Sequence, residues 1–74
     1  MKAYVLIRAT VGKTDSVAQA LREQEGVVSA DIVTGPYDVI AVLEAADVQA
    51  IGEIVKQKIH SIPGIERTLT CLAV

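Results

Sequence analysis

The chain has 74 residues, 51% of them hydrophobic, and carries a formal net charge of −2 at neutral pH. Its length predicts one domain over residues 1–74, and so much apolar surface in so short a chain predicts that a second copy covers part of it. Because no cluster of Lys or Arg is present and no apolar run reaches the ~20 residues that span a bilayer, neither direct nucleic-acid binding nor membrane insertion is expected.

The first third of the chain has the pattern of a strand followed by a helix. Residues 2–10 are rich in β-branched and aromatic side chains and predict a strand. Asp15 or Ser16 is expected to cap a helix that runs to about Glu25, with Ser16 and Gln19 spaced as a capping box. The positions expected to form its buried stripe are Val17, Ala20, Leu21 and Gln24.

Two further strands and a turn follow. Residues 27–34 predict a second strand and residues 38–45 a third, because both are rich in Val, Ile, Leu and Ala. Pro36 cannot donate to a strand ladder, so the chain is expected to turn at Gly35 and Pro36. The second strand is expected to place three apolar side chains on one face, those of Val28, Ala30 and Ile32.

The last third predicts another helix and another strand. Asp47 is expected to cap the helix, and Pro63 and Gly64 to stop it before a strand over residues 65–74. The side chains expected to share the buried side of this helix are Val48, Ile51, Val55, Ile59 and Ile62.

The resulting order, βαββαβ, predicts an α+β ferredoxin-like sandwich with a four-stranded antiparallel sheet and two helices on one face. Both faces of the strands are apolar, which is typical of sheets buried on both sides. We assign to the helix side Ala3, Val5, Ile7, Ala9, Val39, Ala41 and Leu43. The opposite side is expected to carry Tyr4, Leu6, Arg8, Thr10, Ile40, Val42, Leu72 and Val74.

This second apolar face predicts a homodimer joined sheet to sheet through Tyr4, Leu6, Ile40, Val42 and Leu72. Fully burying one large aliphatic side chain is worth roughly 1.5–3 kcal/mol, so half a dozen partly buried ones can contribute several kcal/mol to association. The alternative is a monomer with an exposed apolar patch, which is uncommon in soluble proteins.

Two motifs carry a resemblance to a known family. "TGPYD", at residues 34–38, is similar to a Thr-Gly-x-aromatic-Asp turn, and "PGIERTLT", at residues 63–70, to a Pro-Gly-Val/Ile-x-Arg-Thr-x-Thr ending. With "AYVLI" near the start, the whole chain resembles the effector-binding (RAM) domain of the Lrp/AsnC regulators. Those regulators also carry a DNA-binding helix-turn-helix, for which no room exists before Tyr4, so the resemblance is to a stand-alone domain.

The resemblance implies a domain that dimerises through its sheets, assembles dimers into octamers or decamers, and binds an amino-acid effector between dimers. It also implies co-assembly with full-length Lrp/AsnC regulators as a candidate partnership. No cofactor is implied. A chain with a single cysteine cannot form an internal disulfide, and we expect a cytoplasmic location.

The candidate ligand site consists of the turn and a threonine pair. A site for a free amino acid needs an acceptor for the ammonium group, donors for the carboxylate and a wall against the side chain. Gly35 allows close backbone approach, Tyr37 offers a wall, and Asp38 could accept from an ammonium group. By resemblance the effector site comprises Thr34, Gly35, Tyr37, Asp38, Thr68 and Thr70. The alternative is structural: Asp commonly caps turn amides, and Thr is a common strand residue.

The remaining reactive side chains favour structural roles. His60 has no partner at metal-ligand spacing and suits a helix C-terminus, while Cys71 is expected to be a small buried side chain. Because no acid, base or nucleophile pair is evident, we do not expect an enzyme. Two alternatives stay open, a ligand-free protein-interaction module and a small dimeric α/β-barrel enzyme.

Overall fold

The computed structural model describes residues 1–74. Its elements are β1 (Lys2–Ala9), α1 (Thr14–Arg22), β2 (Val27–Ile32), β3 (Val39–Glu44), α2 (Val48–Ile54, continued by a π-helical segment, Val55–Ile59) and β4 (Ile65–Leu72). The four strands form an antiparallel sheet in the order β2-β3-β1-β4. This confirms the predicted ferredoxin-like fold, although each strand is one or two residues shorter than predicted.

The hydrophobic core lies between the helices and one face of the sheet. It contains thirteen buried side chains, none of them polar. The strand residues assigned to the helix side are confirmed there, with Ala9 half-buried and the other six fully buried. In α1, Ala18 is buried where Ala20 was expected, and Val48 in α2 is 52% exposed. The helices contribute to the core Val17, Ala18, Leu21, Ile51 and Ile59, and Ile62 joins them from the turn after the second helix.

The two helices begin differently. The predicted cap of α1 by Asp15 or Ser16 is wrong, because the helix already begins at Thr14 and has no side-chain cap. The Ser16 hydroxyl instead donates to the Lys13 carbonyl at 3.0 Å, so the expected capping box does not form. In α2 the predicted cap is confirmed, since Asp47 Oδ1 accepts from the Ala50 N–H at 2.8 Å.

Beyond Ile54 the second helix widens into a π-helical turn. The His60 N–H donates to the Val55 carbonyl at 2.9 Å, a hydrogen bond that spans five residues instead of four. Such turns occur mostly as single insertions in α-helices, often at functional sites. The widened turn keeps Ile59 buried while His60, the next residue, is exposed.

Two β-bulges change which side chains face the helices. In β4, Arg8 pairs with Arg67 and Ala9 with Ile65, so Glu66 is an extra residue. Without this bulge, side chains would alternate strictly from Ile65 onward, and Leu72 would lie on the face away from the helices. With the bulge, Leu72 pairs with Ala3, whose side chain lies in the core, so the predicted placement of Leu72 is wrong.

The bulge in β2 has the same effect. Val27 pairs with Leu43 and Ser29 with Val42, so Val28 is the extra residue. Val27 packs against the core, whereas Val28 is 65% exposed. The prediction that Val28 shares a face with Ala30 is therefore wrong.

The face of the sheet without helices, which we call the open face, follows from the same register. Its central side chains are Tyr4, Leu6, Ile40, Val42, Leu69 and Cys71. No helix in the chain has the length and apolar character needed to cross a bilayer.

Gly64, at the turn into β4, supports a stability prediction. Its φ is +96°, and an added Cβ would lie 2.9 Å from the Lys13 Cβ and 3.2 Å from a Val17 methyl. Gly64→Ala is therefore expected to cost more than the ~1–2 kcal/mol of a left-handed alanine alone, as measured by urea unfolding. Gly12→Ala is the matched control, because Gly12 has φ +84° with nothing within 4 Å. Equal losses in both variants would contradict the proposed clash.

Candidate functional site

The turn between β2 and β3 is tied firmly to the sheet. The Val33 N–H donates to the Asp38 carbonyl at 2.9 Å, and the Asp38 N–H donates to the Ile7 carbonyl at 2.8 Å. Asp38 Oδ2 also accepts from the Ala9 N–H at 2.8 Å, beside the bulge between β1 and β4. One carboxylate oxygen of Asp38 thus has a structural partner in the chain.

A small cavity opens beside this turn. Its volume is about 170 Å³, and its lining residues are Leu6, Val33, Thr34, Gly35, Pro36, Tyr37 and Ile40. Leu6 and Ile40 belong to the open face, so the turn and the predicted dimer surface are continuous. Pockets that enclose small-molecule ligands usually measure about 300–1,000 Å³. The cavity at the turn is therefore too small to enclose such a ligand without a second wall.

The predicted threonine pair lies on the other side of the sheet. Thr68 pairs with Ile7 and Thr70 with Val5, and both of those partners are in the core. The two threonines therefore face the helix side, as their spacing predicted for a shared face, while the cavity at the turn opens on the open face. A single chain does not bring the two halves of the predicted site together.

His60 contacts the threonine pair. Its Nε2 lies 3.1 Å from Thr68 Oγ1, which joins the end of the second helix to β4. The sequence contains no signal for this contact, because the two residues lie in different elements that the turn at residues 61–64 separates.

A larger groove runs between α2 and β4 on the helix side. Its volume is about 410 Å³, and it is lined by Val48, Ile51, Gly52, Val55, Lys56, His60, Thr70 and Leu72. Sequence analysis missed this groove, since it depends on the bulge that turns Thr70 and Leu72 toward the helix. The helical spacing of Val48, Gly52, Lys56 and His60 was the available signal.

The open face has an apolar centre and a charged rim. In successive cross-strand rows, Ile40, Leu6 and Leu69 lie side by side, followed by Val42, Tyr4 and Cys71. Tyr4 is 37% exposed and Leu69 is 49% exposed. Cys71 is exposed in this chain, so the prediction of a buried cysteine is wrong. Leu69 takes the place on this face that was expected for Leu72.

Two charged residues lie opposite each other at each end of this apolar centre. Lys2 lies opposite Glu44 at one end, and Arg8 lies opposite Arg67 at the other. Like charges at directly opposed strand positions repel each other. Arg8 also donates from Nη1 to the Pro36 carbonyl at 3.2 Å, which brings this cationic end next to the turn.

Metal chemistry finds no support in the side-chain arrangement. No group of three or more His, Cys, Asp or Glu side chains lies close enough to hold a metal ion. The groove and the turn cavity contain one imidazole, that of His60, and no carboxylate among their lining residues.

The hydrogen bond of Asp38 supports a prediction about its structural role. Asp38→Ala leaves the half-buried Ala9 N–H without its acceptor and is expected to cost about 1–3 kcal/mol of unfolding free energy in urea. Asp38→Asn keeps an acceptor oxygen and is expected to lose clearly less. If both variants are as stable as the parent chain, the carboxylate has no structural role.

Comparison with known proteins agrees with this fold. The family model of the Lrp/AsnC ligand binding domain matches residues 2–74. An uncharacterized HTH-type transcriptional regulator of Pyrococcus furiosus is 34% identical, and the match covers 96% of this chain and 49% of that protein. The chain therefore spans about half the length of this curated relative.

Solved structures show the same fold. A crystal structure of a Thermus thermophilus protein matches with a TM-score of 0.94 and 38% identity over 99% of this chain and 91% of that one. A Neisseria meningitidis transcriptional regulator in complex with L-Met matches with a TM-score of 0.86 and 17% identity over 99% of this chain and 49% of that one. The family resemblance read from the two motifs is confirmed, and the chain belongs to the Lrp/AsnC family as a ligand-binding domain.

Proposed function

We propose that this chain is an amino-acid-binding and oligomerisation module whose ligand site is completed only between copies. The observation that carries the proposal is the position of the two half-sites on opposite faces of one sheet. The turn offers a wall and an acceptor, and the threonines offer hydroxyl donors, but neither encloses a ligand alone. The L-Met complex of the Neisseria meningitidis relative supports an amino acid as the ligand class.

The first step of assembly is a homodimer through the open face. Its centre is apolar and its rim charged, which is the common anatomy of protein interfaces. β1 and β4 have eight residues and β2 and β3 have six, so at ~3.3 Å per residue and ~4.8 Å between strands the face covers about 440 Å² before side-chain relief. That is about half of the ~800 Å² of accessible surface that each partner buries in a standard interface, and side-chain relief adds to it. Tyr4, Leu6, Ile40, Val42 and Leu69 would supply the apolar contact.

Charge complementarity favours one orientation of this dimer. Asp31 lies beside Ile40 on the open-face side of β2, and Arg67 lies on β4, the opposite edge strand. A twofold axis parallel to the strands would place β2 of one copy over β4 of the other. Asp31 would then lie over Leu69 of the second copy, two residues along β4 from Arg67, where its charge would partly offset the repulsion between Arg8 and Arg67.

The amino-acid site would form where dimers meet in an octamer or decamer. Tyr37 and the free oxygen of Asp38 from one chain would hold the side chain and ammonium of the ligand. Thr68 and Thr70 of another chain would donate to its carboxylate. In this role the module senses amino acids without catalysis, in the cytoplasm, and modulates full-length regulators of its family by joining their assemblies.

A ligand-free interaction module is the second candidate, because one oxygen of Asp38 is already used by the Ala9 N–H. It shares the open-face dimer with the first candidate and differs only in its response to amino acids. An enzymatic role gains nothing from the groove, since none of its lining residues is a carboxylate that could act with Lys56 or His60.

Thermal unfolding with each of the twenty amino acids tests the sensing role. A ligand at 100 times its dissociation constant is expected to add ~2.7 kcal/mol and to raise the melting temperature. Thr68→Val together with Thr70→Val is expected to abolish the shift, since the isosteric change removes both donors. Thr10→Val, an exposed threonine beyond β1, is the control and should keep the shift. The absence of a shift with every amino acid would favour the interaction module.

Sedimentation equilibrium tests the dimer. Ile40→Asp buries a charge at the centre of the open face and is expected to leave single chains at micromolar concentration, where the parent chain is a dimer or larger. Val11→Asp is the control, because Val11 is 97% exposed in the loop after β1 and should leave the assembly unchanged. A parent chain that sediments as a monomer would overturn the dimer and the site between copies.

A further inference from the structure

Two arginines lie side by side at one end of the open face. Arg8 of β1 pairs directly with Arg67 of β4, and both side chains are exposed. Cross-strand neighbours of like charge destabilise a sheet, so this pair is unfavourable in the chain alone. Packing does not account for it, because neither side chain contributes to the core. A bound anion, in contrast, would make the same arrangement favourable.

No acid within the chain neutralises this pair. The one ion pair joins the Met1 ammonium group to Glu44, at the opposite end of the sheet. Two carboxylates lie near the arginines in the fold, those of Asp38 and Glu66, and neither forms an ion pair with them. In the dimer proposed above, Asp31 of the second copy lies two residues along β4 from the pair, so it offsets the charge only in part.

Arg8 is attached to the turn that forms the ligand wall. Its Nη1 donates to the Pro36 carbonyl at 3.2 Å, which holds the guanidinium beside the cavity that Tyr37 lines. This bond leaves several N–H groups of Arg8 free. Arg67 makes no side-chain hydrogen bond, since those of arginines in this chain belong to Arg8 and Arg22. The turn therefore has unpaired cationic donors next to it.

A negative group lies beside these donors. Asp38 Oδ2 accepts from the N–H of Ala9, the residue after Arg8, and the other carboxylate oxygen has no partner in the chain. In the site proposed above, this free oxygen binds the ammonium group of the ligand, and Thr68 and Thr70 of another chain bind its α-carboxylate. The anion left for the arginines is then a second carboxylate, in the side chain of the ligand.

We propose that the ligand is an acidic amino acid, aspartate or glutamate, whose side-chain carboxylate is bound by Arg8 and Arg67. This inference rests on the amino-acid site proposed above and specifies its ligand class. The methylene groups of the side chain lie against Tyr37. Arginine suits this role because its planar N–H groups match both oxygens of a carboxylate.

Titration calorimetry with the acids and their amides tests the proposal. Glutamate is compared with glutamine, and aspartate with asparagine, because each amide has nearly the size of its acid and lacks the charge. The better acid is expected to bind at least ~10-fold more tightly than its amide, since hydrogen bonds to charged groups are the stronger ones. Which acid binds more tightly gives the length of side chain that the site accepts.

One variant and one control locate the carboxylate. Arg67→Gln is expected to weaken binding of the acid ~10-fold and to leave the amide unchanged, so that the ratio of the two affinities falls toward one. It removes the repulsion with Arg8, so its melting temperature should be at least that of the parent chain. Lys13→Gln removes an exposed charge near Gly64, at the same end of the sheet, and should keep the ratio.

Two results would overturn this inference and leave the amino-acid site intact. The amides bind as tightly as the acids, or Arg67→Gln weakens acid and amide equally, which would show that the arginines bind the α-carboxylate. The ratio is compared because a change in assembly would alter both affinities alike. Binding of none of the twenty amino acids is a separate result, which overturns the proposed function and this inference with it.

Discussion

The rest of the structure depends on one imbalance, a four-stranded sheet with helices on only one side. All thirteen buried side chains belong to the layer between helices and sheet. The other face still presents Leu6, Ile40 and Leu69 in one cross-strand row. Burying these apolar side chains away from water lowers the free energy. A second copy placed over that face, as proposed above, would supply this cover.

The sequence was sufficient for the order of elements and for the two central strands. In β1 and β3 the alternation is regular, so Val5 and Ala41 were placed correctly on the helix side. The prediction failed in the edge strands, β2 and β4, because each contains an extra residue that reverses the alternation. Nothing in "IERTLTCL" marks Glu66 as that residue, so Leu72 was assigned to the wrong face and Leu69 was not assigned to the open face. Sequence periodicity detects a strand but does not detect a bulge within it.

The candidate site, too, was predicted from the sequence only in part. The turn at residues 34–38 was identified from its motif, and the cavity beside it lies where a ligand wall was expected. The position of Thr68 and Thr70 on the far side of the sheet required the register of β4. The groove over Gly52 was missed, although Val48, Gly52, Lys56 and His60 are spaced to share one helix face, because a glycine in a short helix signals only low helix propensity until the space above it is known.

The extra residues at Val28 and Glu66 have a consequence for how family members are compared. Deletion of either extra residue would restore strict alternation and leave the later side chains of that strand on their present faces. Homologues that lack one of these residues would therefore present the same side chains to the same faces, but one position earlier in the chain. Gaps in an alignment at these two sites thus decide whether a threonine or a leucine can be equated between proteins, and they should be fixed by structure before any residue role is transferred.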